Sequence, residues 1–156
     1  MSRTAGVMPS ILDRLIDPQS SGSEGRYGYG IEQLMEVVRR DLEELLNTRQ
    51  TVTNLPPEFA RLRNSIHAFG MPDLTSFNAI TQTQREEVAH ALEQAVARFE
   101  PRLRDVHATL LSGEDDLKQR SIRFRIDAKV GADPAPLVTF DTVLEVLTGQ
   151  HSVQKT

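Results

Sequence analysis

The sequence predicts an α+β fold in which N-terminal helices pack on a small antiparallel sheet. Three observations predict it. Apolar residues recur at three- and four-residue intervals from Ile31 to Asn47, helical spacing returns between Thr83 and Phe99, and Ser121–Val130 alternates strictly between apolar and polar. Helices that precede the strands, instead of alternating with them, point to an antiparallel meander covered on one face.

The elements follow in order. Ser10 to Ile16 read as a short amphipathic helix, with Ser10 and Asp13 suited to a capping box and Ile11, Leu12, Leu15 and Ile16 forming an apolar stripe. Asp17 to Gly30 then hold four glycines, three serines and a proline, the composition of a flexible tether. The arm can dock on a partner or fold back on its own domain. In the first long helix, Leu34, Met35, Val38, Leu42, Leu45 and Leu46 form the buried stripe, while Arg39 and Glu43, and Arg40 and Glu44, can pair at four-residue spacing. Asn47 is suited to end it. Thr48 to Pro57 are polar and contain Pro56-Pro57, so an irregular crossover is expected, followed by a short helical turn through Phe59 and Leu62 and an ordered loop over Ser65 to Asp73.

Thr83 and Glu86 form a capping-box signature for a second helix, whose apolar set Val88, Leu92, Val96 and Phe99 ends before Pro101. Strands are expected at Arg104 to Leu111, at Ser121–Val130 with Ile122, Phe124, Ile126, Ala128 and Val130 inward, and last through Val138 and Phe140. The expected organisation is an arm over residues 1–30, an α+β domain over 31–147 and a C-terminal tail over 148–156.

Composition narrows the functional classes. Leu, Ile, Val and Phe account for 42 of 156 residues, enough for one mainly aliphatic core, and the chain lacks Trp. A net charge of −4 and few aromatics disfavour nucleic acid as a partner. Without cysteine there is no disulfide, thiolate metal site or cysteine nucleophile, which suits a reducing compartment. No apolar run approaches the roughly 20 residues that span a bilayer, and Met1 to Pro9 lack the apolar core of a secretory signal, so a cytoplasmic location without membrane insertion is expected. No phosphate loop, nucleophile elbow or His-Glu-x-x-His run occurs. His67, His90, His107 and His151 are scattered singly and read as surface or loop residues; no cofactor or metal is expected.

One short motif stands out. In Phe99-Glu100-Pro101-Arg102-Leu103, Glu100 closes a helix where the backbone dipole disfavours an anion by up to about 1 kcal/mol unless a cation compensates. Arg102 follows across a proline that fixes the chain direction, so both charges can project from one rigid corner. An ordinary helix terminus with a solvated Glu is the simpler alternative.

The same residues carry a resemblance. Glu100-Pro101-Arg102 resembles the Glu-Pro-Arg signature of the phage baseplate-wedge gene 25-like family, in particular its bacterial branch in type VI secretion systems, the TssE family. Pro9-Ser10-Ile11-Leu12-Asp13-Arg14-Leu15 resembles its opening motif, and Arg39-Arg40-Asp41-Leu42-Glu43 with Leu45-Leu46-Asn47-Thr48-Arg49 its first long-helix motif. Gly70-Met71-Pro72-Asp73 is similar to its Tyr-Gly-Leu-Pro-Asp loop, with Phe69 where the family often has Tyr, and Phe140-Asp141-Thr142 to its closing strand. Ala135-Pro136-Leu137 departs from a more acidic approach to that strand. The matches run in family order from residue 9 to 142.

The resemblance implies a structural subunit of a cytoplasmic baseplate, bound in wedges with TssF, TssG and TssK, on which the TssB/TssC contractile sheath is built. It implies a fold shared with the strand-exchanging part of sheath subunits, whose sheet edge can accept strands. Glu100, Pro101 and Arg102 would then contact partners, and Ile11, Leu12 and Leu15 would dock the arm; reversing either charge should leave a folded protein that no longer assembles. Two other classes compete. The family carries a lysozyme label, and a peptidoglycan hydrolase would draw on Glu100 with Glu93 or Asp105, placed about 5 to 9.5 Å apart in a cleft. A helical adaptor would use the arm alone, and deleting residues 1–25 would abolish its binding.

Overall fold

Leu34, Met35, Val38, Leu42, Leu45 and Leu46 are each no more than 2% exposed, so the expected stripe is the buried face of α1, Ile31–Asn47. The computed structural model describes residues 12, 15, 31–52, 55–73, 81–111, 121–131 and 135–156. After α1 the described residues from Thr48 to Pro56 form no helix; three 3-10 turns follow at Pro57–Phe59, Leu62–Asn64 and Ile66–Ala68, the first two where one short helical turn was expected and the third inside the expected loop over Ser65 to Asp73, and Pro57, whose fixed φ suits a helical first turn, opens the first.

The second helix, α2, is Gln82–Phe99, capped two residues earlier than the sequence suggested. The Thr81 hydroxyl accepts the Gln84 N–H at 3.3 Å and the Gln84 side chain accepts the Thr81 N–H at 2.9 Å. Thr81–Gln84 and Thr83–Glu86 satisfy the same spacing; Glu86 instead accepts a hydrogen bond from Gln82 within the first turn.

Four strands then form an antiparallel meander in the order β1 (Leu103–Leu110), β2 (Ser121–Val130), β3 (Leu137–Glu145), β4 (Gln150–Lys155). The inward set of β2 is buried as expected, and Phe124 and Phe140 are fully enclosed, each removing apolar surface worth about 2 kcal/mol. Residues 150–155, expected as a tail, instead form β4: Thr142 lies opposite Val153 and Leu144 opposite His151 in the β3–β4 register. The alternation there involves only His151 and Val153 as buried residues, too short a pattern to signal a strand. Helix α1 covers the β4 side and α2 the β1 side of one face, while the other face carries cross-strand pairs such as Arg125–Asp141 at 2.8 Å.

Both outer edges of the sheet meet helix side chains. On β4 the Asn47 side chain binds both backbone groups of His151, and Arg39 donates to the Val153 carbonyl at 3.3 Å. On β1 the Glu93 carboxylate accepts the Ala108 N–H at 3.2 Å, and a bulge between Arg104 and His107 places Asp105 at φ 51°, held by Lys129 at 2.8 Å.

Candidate interaction site at the Glu-Pro-Arg corner

Helix α2 ends where Pro101 removes a donor and fixes φ. Glu100 is its C-cap, with its N–H on the Val96 carbonyl at 2.9 Å, and its own carbonyl accepts the Leu103 N–H at 3.0 Å, so the chain turns directly into β1. This tight turn brings Arg102 back onto the residue before the proline. The Arg102 Nε donates to Glu100 Oε1 at 2.6 Å, its Nη2 donates to Oε2, and its backbone N–H reaches Oε1 at 3.2 Å.

Glu100 is 4% exposed, so the solvated helix terminus is not what forms. A carboxylate at a helix C-terminus and out of water would be strongly unfavourable alone; a bidentate guanidinium with a backbone N–H supplies the compensation. The same guanidinium reaches the first helix, where its Nη2 donates to Asp41 Oδ2 at 2.6 Å, and Asp41 Oδ1 accepts from Arg40 Nη2 at 2.9 Å. Charges thus alternate along Glu100, Arg102, Asp41 and Arg40, with side-chain exposure rising through 5%, 23%, 27% and 39%. Hydrogen bonding to Glu100 raises the Arg102 pKa above its ordinary value against the opposing effect of burial, so the cation is permanent.

The corner borders a groove of about 370 Å³. Phe69, Phe99 and Pro101 give it an apolar side, and Asp41 and Glu44 an acidic one. The rings of Phe69 and Phe99 meet edge to face, 5.3 Å apart at 67°, which joins the Gly70-Met71-Pro72-Asp73 loop to the end of α2 through an aromatic contact and not a hydroxyl.

The structure therefore brings Glu100, Pro101 and Arg102 together, with Asp41 as a fourth member that lies 61 residues from Arg102. Glu100 is spent inside the molecule. Reversing it would set a second cation beside Arg102 in a buried site, so the fold itself would suffer. Of the arm residues, Ile11 lies outside the described residues, while Leu12 and Leu15 are helical and 54% and 75% exposed.

The acids considered for glycoside hydrolysis each serve another bond. Arg102 holds Glu100, Ala108 donates to Glu93, and the Lys129 ammonium keeps Asp105 below the usual carboxylate range, the reverse of what a general acid needs. No cluster of three metal-ligating side chains occurs among the described residues. His67, His90 and His107 are exposed, but His151 corrects the expectation of a surface residue: it is 4% exposed under α1. No helix among the described residues is long and apolar enough to cross a membrane.

Among known families, the one described as baseplate wedge protein gp25 matches residues 32–135, a span from the first turn of α1 through the corner and β2. No curated protein matches the chain significantly.

Proposed function

This chain belongs to the baseplate wedge protein gp25 family, and from that premise we propose that it is a structural subunit of the cytoplasmic baseplate of a type VI secretion system, without enzymatic activity. Its wedge partners would be TssF, TssG and TssK, and it would link them to the TssB/TssC sheath. The observation that carries the reading is the family match across the Glu-Pro-Arg corner, whose charges are locked into a rigid, grooved surface and are not poised for acid–base chemistry.

In this reading the corner acts through its shape. Glu100 and Arg102 fix the angle between α2 and β1 and tie both to α1, so the groove between Phe99 and Glu44 is presented in one orientation. An apolar side chain with a basic neighbour fits such a groove, as its charge meets exposed Glu44 at the rim. Leu12 and Leu15, both exposed, would supply a second contact.

Sheath initiation would use the sheet. At the β4 edge the edge-facing backbone groups of His151 and the Val153 carbonyl are engaged by α1, which favours β1 for strand addition; there an incoming strand would displace the Glu93 carboxylate from Ala108. Co-purification of the intact chain with TssF, TssG and TssK, and separately with TssB/TssC, tests the role. Stable complexes are expected, they should persist when residues 1–25 are removed, and they should weaken in Glu44→Lys. Failure of the intact chain to bind any of these proteins would overturn the reading.

A further inference from the structure

The crossover between α1 and α2 has features that packing within this chain does not explain. Its neck is closed by backbone hydrogen bonds: Met71 N–H to Thr48 O at 2.7 Å, Gln50 N–H to Met71 O at 2.9 Å and Val52 N–H to His67 O at 3.4 Å. Beyond the neck the chain is held by its own 3-10 turns, yet none of the residues from Pro56 to Asn64 is buried. Phe59, Leu62 and Ile66 are 50%, 37% and 83% exposed, and with Val52 they make up four of the nine exposed large apolar residues among the described ones. Single exposed apolar residues are ordinary, but three bulky ones within eight residues of ordered chain mark a contact surface.

Charge specifies what would cover it. Arg61 and Arg63 lie among these anchors, both exposed and without an ion pair among the described residues, while Glu58 is the sole acid of residues 55–67 in a chain of net charge −4. The main chain specifies further. The N–H groups of Phe59, Asn64, Ser65, Ala68 and Phe69 are all used inside the 3-10 turns, so the segment offers no ladder on which an extended strand could add. Side chains must therefore carry the contact.

We infer that Phe59, Leu62 and Ile66, flanked by Arg61 and Arg63, form the docking surface for an acidic segment of another protein that inserts apolar side chains between them. The arm of this chain has a similar pattern, with Asp13 and Asp17 beside its apolar stripe, but Leu12 and Leu15 are exposed and therefore not seated on these anchors. The inference rests on the wedge reading in that the partner is sought among wedge proteins.

The test uses the full chain co-purified with TssF, TssG and TssK. Phe59→Ser/Ile66→Ser should weaken association at least tenfold with an unchanged thermal midpoint, because both side chains lie outside the core. Arg61→Glu/Arg63→Glu should weaken it at least threefold and flatten its salt dependence. A photo-crosslinker at position 59 or 66 should capture one partner segment with net negative charge and apolar side chains, whereas the same probe at exposed Leu147, on the β3–β4 turn, should not. If the wild-type chain binds and both double variants bind equally well, or if the crosslinks map to residues 9–17 of this chain, the docking surface is overturned while the wedge reading stands. If the wild-type chain binds none of the three proteins, both fall.

Discussion

Asn47, the last residue of α1, grips His151 of β4 by both backbone groups: its Nδ2 donates to the His151 carbonyl at 2.9 Å and its Oδ1 accepts the His151 N–H at 2.8 Å. The side-chain amide thus stands where the next strand of the sheet would be, and it ties a polar six-residue strand to the helix that covers it. The same Nδ2 also reaches the Glu43 carbonyl at 2.8 Å, so the amide closes its own helix as well.

Asn47→Ala should therefore cost about 1–3 kcal/mol, since two backbone groups lose a partner at a partly buried site. The loss should be local. Hydrogen exchange over residues 150–155 should accelerate strongly while β2 stays protected, and equal protection in both proteins would show that β4 does not depend on this clamp.

His151 makes the same strand sensitive to pH. Burial lowers its pKa from 6.5 to about 4, and its Nε2 has no partner among the described residues. The folded state thus keeps the ring neutral, and between about pH 6.5 and 4 the unfolded chain binds a proton that the folded chain does not. Stability from this residue is fully present above pH 6.5 and falls by about 3 kcal/mol as pH drops toward 4. Urea unfolding across that range should show the decline in the wild-type chain and a markedly smaller one in His151→Leu, where other groups titrate unchanged. Parallel pH profiles would mean that the imidazole titrates normally.

These two residues also show where sequence reading stops. The stripe of α1 and the alternation of β2 are legible because six buried side chains keep the helical period in one and five keep the two-residue period in the other, and each repeat adds to the same inference. Strand β4 holds two buried positions among polar neighbours, and His151 looks like any surface histidine until α1 is seen above it. The cap of α2 was legible in kind but not in place, since two overlapping pairs meet the same spacing. At the corner, the need for a cation near Glu100 followed from helix electrostatics; Asp41, in contrast, enters only through the packing of α1 against the α2–β1 turn, which no local pattern encodes.

Gly70 holds the neck of the crossover through its backbone conformation. Its φ is +105°, and a Cβ there would lie 2.2 Å from the Thr48 carbonyl oxygen, which itself accepts the Met71 N–H. Gly70→Ala combines an unfavourable φ with a backbone clash and should cost more than about 2 kcal/mol. Thermal unfolding gives the size, and faster exchange at Met71 gives the place. A neutral substitution would show that the neck can open without strain.

The charged corner yields the prediction that bears most on function. Arg102→Met removes the cation bound to the Glu100 carboxylate and should cost about 3 kcal/mol, the penalty of leaving a buried charge unpaired. Asp41→Asn cuts only the outer link, where both side chains are about a quarter exposed, and should cost about 1 kcal/mol. Glu100→Gln combined with Arg102→Met should cost less than the two single changes together, because the orphaned charge is then gone. Denaturant unfolding of the four variants, Glu100→Gln alone included, decides this, and equal costs for Arg102→Met and Asp41→Asn would remove the buried pair as the anchor of the corner. If the expected order holds, an assembly defect in Glu100 or Arg102 variants reports a deformed corner. The groove then has to be probed from its exposed rim at Glu44, where a substitution changes the surface and leaves the ion pair in place.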